Sequence, residues 1–299
     1  MELRHLRYFC AVAEELNLTR AAERLHIAQP PLTRQIRQLE EEMGVLLFNR
    51  EARGLSLTPA GQFFLERARQ ILAKVQGSMA DTRKVAAHGK RIFAIGFVPS
   101  VFYGQLPSLI KRLRQCGDIE IVLHEMTTQE QVTALKTGRI DIGFGRLRIE
   151  DNEVDQELLF DEPIIAAVPA DHPLASTRPT LTELAKHPLI LFPSNPGRSF
   201  ADIVLGLFHR RCLSVNVIQQ VNDLQTALGL VASDMGFTLV PEQVKRVHRD
   251  GIAFIPLGES NITTPIMCCR RKEPAGDIMQ LVNEILEELV DNRRSGRYP

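Results

Sequence analysis

NLTRAAERLHIAQPPLTRQIRQLEEEM, residues 17–43, decides how the first part of this chain folds. It holds two short helical patterns joined by a tight connection. In the second, Leu32, Ile36, Leu39 and Met43 recur at intervals of four, three and four, which draws one apolar stripe along a helix. Pro30 and Pro31 suit its first turn, because the N–H groups they lack would have no partner there. Gln29, Thr33, Arg34 and Arg37 lie off the stripe, and no acidic residue occurs between Glu23 and Glu40. A helix built this way has one face for a core and another that can approach phosphates and base edges.

Upstream, Leu3, Leu6, Phe9, Cys10 and Ala13 predict a helix over about 4–15. Asn17 and Leu18 break that pattern, and Thr19 is the expected N-cap of the next helix, which would bury Ala21, Ala22 and Leu25. Downstream, Gly44 ends the helix that begins near Gln29. Residues 45–48 and 55–58 then read as two short strands around 49–54, a hairpin tip carrying Arg50 and Arg53. Helix-turn-helix plus basic hairpin defines an all-α winged helix-turn-helix over 1–58, with one helix for a major groove and a wing for the flanking backbone. The plainer reading is a small helical domain with solvated arginines. The first sixty residues balance eight Arg against eight Glu, so the signal is positional and not compositional.

Thr58-Pro59 is a strong helix start, and Gly77 is the one glycine in 62–88, with no proline there. Leu65, Ala68, Leu72, Val75 and Met79 recur at three and four residues, the spacing of a coiled-coil seam. A helix of thirty residues would be about 45 Å long, more than a small winged domain can cover. Residues 59–88 are therefore expected to be a linker helix that pairs with a second copy, and paired recognition helices imply an inverted-repeat DNA site.

From 89 to 299 the texture is α/β. RIFAIGFVP, IEIVLHEM and DIGFGRL alternate with helical segments, the order of a parallel sheet covered by helices. A second series of strands and helices follows from PIIAAVP, and a last helix runs over about 277–290. Two subdomains are expected, one of about 91–161 plus 267–299 and the other of about 162–266. In open sheets ligands bind at the carboxyl ends of strands. Pro99, Ser100, Thr127, Thr128, Arg146, Pro196, Ser199 and Phe200 fall at such ends, and N–H groups beside hydroxyls suit a carboxylate. Ordinary capping is the competing role for the hydroxyls, and pairing with a neighbouring acid for Arg146.

Thirty-six basic against thirty-six acidic side chains exclude a protein held to nucleic acid by bulk charge. No apolar run approaches the ~20 residues that span a bilayer, and the charged N-terminal stretch is no signal peptide. Five cysteines without CxxC spacing suit a reducing cytoplasm and not a zinc site. Asp141, Glu162, Asp171 and His172 are the acids and base from which a catalytic group could be drawn. No nucleophile elbow, phosphate loop or metal-spaced His pair accompanies them, so an enzyme is not expected, nor a cofactor.

The run RYFCAVAEELNLTRAAERLHIAQPPLTRQIRQLEEEMGVLLFNREARGLSLTPAG resembles the N-terminal domain of LysR-type transcriptional regulators. The remainder resembles that family's periplasmic-binding-protein-like effector domain. The resemblance implies that Gln29, Pro30, Pro31, Thr33, Arg34 and Arg37 lie along the major groove. Asn17 and Thr19 would meet the backbone, with Arg50 and Arg53 in the wing. It also implies dimers that assemble into tetramers, promoter DNA and RNA polymerase as partners, and a small-molecule effector. IGFVPSVFYGQLP, EMTTQEQVTALKTGRIDIGFGRL and LFPSNPGRSFADIV are similar to the branch controlling aromatic-compound catabolism through catechol and muconate. That likeness implies a small organic acid as effector, with Ser100, Thr128, Ser199 and Phe200 in its pocket. The alternative regulator switches through cysteines, with Cys212 beside Arg210-Arg211 and the vicinal pair Cys268-Cys269 as candidates.

Overall fold

The computed structural model describes residues 1–51, 54–88, 90–194, 199–272 and 276–294. The chain divides into two compact units, the first built on Met1–His88 and the second on nearly all of the remainder.

In the first unit, helix α1 (Leu3–Glu15) is followed by α2 (Leu18–Arg24) and α3 (Gln29–Met43). Strands β1 (Phe48–Glu51) and β2 (Gly54–Leu57) pair antiparallel, and α4 (Pro59–His88) completes the unit. Leu6, Phe9, Leu32, Ile36, Leu39, Leu47 and Phe48 form one core. The apolar stripe of α3 is buried as its spacing required, except that Met43 stays exposed at the helix end. Each large side chain buried there contributes about 1.5–3 kcal/mol relative to exposure.

Three expectations need correction. Asn17, not Thr19, caps α2: its Oδ1 accepts the N–H groups of Thr19 and Arg20 at 2.9 and 3.1 Å. The hairpin begins at Phe48 and not at Val45, so Arg50 lies in β1 and not in the tip. Residues 45–47 are instead a connecting strap, whose Leu47 is fully buried. Finally, Leu65 and Ala68 are buried in the core of their own domain and Leu72 packs against it. The regular spacing was real, but its first half faces α1 and cannot face a second chain. The surface that α4 leaves open carries Phe63, Ile71 and Met79, which are 63%, 40% and 46% exposed.

The second unit begins with β3 (Arg91–Phe97), a 3-10 turn at Pro99–Val101, α5 (Leu106–Gln115), β4 (Ile119–Glu125), α6 (Thr128–Lys136) and β5 (Ile142–Gly145). Strand β6 (Val154–Pro169) is sixteen residues long. Then come α7 (Leu181–Leu184), β7 (Leu189–Leu191), α8 (Phe200–His209), β8 (Val217–Gln220) and α9 (Leu224–Ala232). The chain closes with β9 (Thr238–Pro241), a 3-10 turn at Glu242–Arg246, β10 (Ile252–Pro256), β11 (Thr263–Arg271) and α10 (Asp277–Arg294).

In the first lobe the parallel order holds for β4-β3-β5, while β11 joins β5 antiparallel and β6 joins β11 antiparallel; in the second lobe β7 and β8 pair parallel. Strand β6 changes partners along its length. Up to Pro163 it pairs with β11, and from Ile164 onward it pairs with β9 and β10. It therefore belongs to both lobes, and the subdomain boundary expected at 161/162 falls inside it. In the first lobe, Phe93, Ile95 and Phe97 pack under α5 and α10, while Ala94 faces Val132 and Leu135 of α6. The second lobe packs its own core around β6, α8 and α9, including Ala166, Phe208, Leu228 and Val240.

Candidate DNA-reading face and effector site

Helix α3 is tied down by polar braces at its buried side. His5 is buried in α1; its Nδ1 accepts the Glu2 N–H at 3.1 Å, which leaves Nε2–H to donate to Gln35 Oε1 at 2.9 Å. Glu40 is buried too, and its Oε1 accepts the N–H groups of Leu47 and Phe48. Beyond these braces lies the solvent face. Gln29, Pro30, Pro31, Arg34 and Arg37 are exposed and Thr33 is half-buried. The Thr33 hydroxyl donates to the Gln29 carbonyl at 3.1 Å.

The basic residues of α2 and α3 differ in one decisive respect. Arg20 is paired with Glu15 at 2.8 Å, and Arg24 with Glu14 at 2.8 Å. Arg34 and Arg37 form no ion pair with a described residue. The charge that remains uncompensated is thus concentrated on α3. Asn17 and Thr19 sit at the start of α2, where the Asn17 side chain is occupied in capping. Arg50 belongs to β1, and Arg53 and Pro196 lie outside the described residues.

In the second unit three chain ends converge. Ser100 follows the carboxyl end of β3, Thr128 opens α6 and Arg146 follows β5. Arg146 Nε donates to Ser100 Oγ at 2.7 Å, and its Nη2 donates to Glu162 Oε2 at 2.7 Å. The Arg146 N–H lies 3.4 Å from Thr128 Oγ1. Thr128 packs so closely on Gly145 that a Cβ there would sit 2.5 Å from its hydroxyl. Glu162 Oε1 also accepts the N–H of Gln243, which belongs to the second lobe, at 2.8 Å.

Arg146 and Glu162 are both buried, and burial pulls the guanidinium pKa down while the Glu162 charge acts against that. Its Nη1 has no hydrogen-bond partner among the described residues. Buried polar groups are nearly always satisfied, so a donor left open inside a protein calls for a physical reason.

The other expected residues divide by role. Thr127 caps α6: Glu130 Oε2 accepts from its N–H and its hydroxyl at 2.7 and 2.9 Å. Ser199 does the same for α8 with Asp202. Phe200 packs its ring at a tilt against Phe192 in the core of the second lobe, and Pro99 is exposed in the turn beside Ser100. Sequence reasoning missed Glu162 as a partner of Arg146, because sixteen residues and a β-crossing separate them.

The acids and base set aside earlier do not assemble. Asp141 pairs with Arg271, Glu162 with Arg146, and His172 with His187 of the second lobe. Among the described residues no group of three or more His, Cys, Asp or Glu could hold a metal ion. No helix there is long and apolar enough to cross a membrane. Cys268 and Cys269 are fully buried on opposite faces of β11. Burial pushes both thiols up, Cys269 to about 11, which disfavours the thiolate a redox switch needs.

A winged helix-turn-helix followed by a two-lobed α/β domain defines a ligand-responsive DNA-binding regulator. Residues 3–62 match the family "Bacterial regulatory helix-turn-helix protein, lysR family", and residues 87–290 match "LysR substrate binding domain". The chain belongs to the LysR family of transcriptional regulators and is not an enzyme. It is 50% identical over 286 residues to the transcriptional regulator CatR of Pseudomonas putida, covering 96% of this chain and 97% of CatR. It is 41% identical over 290 residues to BenM of Acinetobacter baylyi, covering 95% of each. The BenM effector binding domain, solved with its effector benzoate, superposes with a TM-score of 0.65 at 33% identity, over 70% of this chain and 95% of that one. Full-length CbnR, solved with its target DNA, gives 0.66 at 33% identity, over 97% and 100%.

Proposed function

We propose that the effector of this regulator is a small organic acid, muconate-like or an aromatic carboxylate, bound where Ser100, Thr128 and Arg146 converge. The observation that carries this reading is the buried Arg146, whose Nη1 has no hydrogen-bond partner among the described residues. A carboxylate is the acceptor that best suits a fixed guanidinium, since the bond is charge-assisted and geometrically specific. BenM and its effector benzoate add support by likeness. Ser199 and Phe200 would close the pocket from the second lobe.

On the DNA side, Gln29, Thr33, Arg34 and Arg37 would read the major groove, flanked by Pro30 and Pro31. Asn17 and Thr19 would meet the backbone, and Arg50 and Arg53 the flanking duplex. The stripe of Ile71, Val75 and Met79, four residues apart on α4, would pair with a second copy, giving a dimer suited to an inverted repeat. Such dimers would assemble into tetramers and act on promoter-bound RNA polymerase. Effector binding shifts the population of lobe arrangements, and thereby the bend and contacts of the DNA.

Calorimetric titration of the full-length protein with cis,cis-muconate and with benzoate tests the effector assignment. Binding of at least one, lost in Arg146→Met and weakened in Ser100→Ala, is the expected result. Equal affinity in Arg146→Met and the unaltered protein would sink it.

A further inference from the structure

Between α3 and β1 the chain makes a short strap, and both of its edges are held. Glu40 Oε1, buried in α3, accepts the N–H groups of Leu47 and Phe48 at 2.8 and 3.1 Å. On the other edge, the carbonyl of Leu47 accepts the Thr58 N–H at 3.0 Å. The carbonyl of Leu46 accepts the Thr58 hydroxyl at 2.8 Å. That same hydroxyl accepts the Gly61 N–H at 2.9 Å, so Thr58 both caps α4 and grips the strap. A Cβ at Gly61 would lie 2.0 Å from the Leu47 carbonyl oxygen, which shows how closely the first turn of α4 rides on it. Phe48, at the strap's end, packs its ring on Phe9 of α1 at 5.4 Å.

The backbone of Leu47 thus points its N–H at the recognition helix and its C=O at the start of the linker helix. Both Leu47 and Phe48 are buried, so no water can replace either partner without cost. A displacement of the first turn of α4 must carry the strap with it. The strap must in turn carry Glu40 and the base of the wing.

We propose that the strap 45–47, clamped by Glu40 and Thr58 together with Phe48 at the start of β1, is the joint through which α4 sets the attitude of α3 and the wing. Glu40 and Thr58 are positioning residues for operator reading, and neither touches DNA. The inference rests on the reading that α3 enters the major groove and that α4 carries the contact between copies. In a dimer the joint decides the angle and separation of two recognition helices, and so the half-site spacing the protein prefers.

The test uses the full-length protein and duplexes selected from a random pool by the unaltered chain, together with versions whose half-sites are moved apart or together by one to three base pairs. Glu40→Leu and Thr58→Val should lower affinity for the selected duplex by about tenfold or more and flatten the preference for its spacing. Glu40→Gln and Thr58→Ser keep the acceptor and the hydroxyl, and should restore both within about twofold. Thr58→Val alters a partly solvated cap, so it keeps the test open should Glu40→Leu fail to fold. Arg34→Ala serves as the separate control, losing affinity equally at every spacing. If Arg34→Ala binds like the unaltered protein, the reading of α3 has failed. If Arg34→Ala weakens binding while Thr58→Val leaves spacing preference intact, or loses affinity uniformly, the joint is wrong.

Discussion

Arg146 and Glu162 meet at 2.7 Å inside the second unit, the first from the end of β5 and the second from the strand that both lobes share. The Glu162 carboxylate holds Gln243 of the second lobe with its other oxygen. One buried carboxylate therefore anchors the guanidinium proposed to meet the effector and also touches the opposite lobe.

Removing that carboxylate leaves a buried positive charge without its counter-charge. Glu162→Ala should destabilise the C-terminal unit by about 3–5 kcal/mol, read as a fall in the urea midpoint of the full-length protein. A change below about 1 kcal/mol would mean that water already reaches Arg146.

Arg34→Ala should weaken operator binding by about 1–3 kcal/mol if it reads a base, with effector affinity unchanged. If Arg37 meets a phosphate, Arg37→Ala should reduce the slope of log affinity against log salt by about 1. Anisotropy titrations at several salt concentrations separate the two outcomes.

Two leucine-like positions on α4 should behave oppositely. Leu65→Ala opens a cavity in the winged domain and should cost about 2–5 kcal/mol of its stability. Ile71→Asp sits on the exposed stripe and should leave folding intact while shifting the sedimentation of the protein toward the monomer. Unchanged assembly in Ile71→Asp would remove this stripe from the proposed interface.

Acid should loosen the second lobe through His172. Its Nδ1 accepts the Leu174 N–H at 3.2 Å, and its Nε2 meets His187 Nδ1 at 3.3 Å, an arrangement that suits the neutral ring. Burial first, and the neighbouring His187 second, lower its pKa from 6.5, with Asp234 acting the other way. The unfolded chain then binds more protons in the window just below 6.5, so stability is full above that pH and falls as pH drops through the window. His172→Phe should flatten this part of the curve of melting temperature against pH. An unchanged slope in that variant would show that another group sets it.

Much of this architecture was legible from periodicity. Helix α3 announced itself because its apolar spacing, its proline pair and its glycine stop all agreed. The α4 seam was legible as a stripe but not as to what covers it, since Leu65 and Ala68 follow one period whether they face α1 or another chain. The wing slipped by three residues because Val45-Leu46-Leu47-Phe48 looks like a strand. Only the tertiary bonds of Leu47 and Phe48 to Glu40 turn its beginning into a strap. Strand β6 was hidden for a different reason: VDQELLFD alternates with charges while PIIAAVP is uniformly apolar, so one strand reads as two. At the candidate effector site, Ser100, Thr128 and Arg146 were placed at strand ends by topology, and Ser100 and Thr128 by the family resemblance as well. Glu162 was not, because pairing across a sheet leaves no trace in local spacing.

Because β6 runs unbroken through both lobes, their connection at that crossing is a strand and not a loop. A change in the angle between the lobes would twist β6 where its partners change, between Pro163 and Ile164, as a torsion spring is twisted. Such a crossing would favour small rotations of the lobes over wide opening. Its output would be graded by how far a bound effector biases that angle, which favours a sensor tuned to ligand level over an on–off latch.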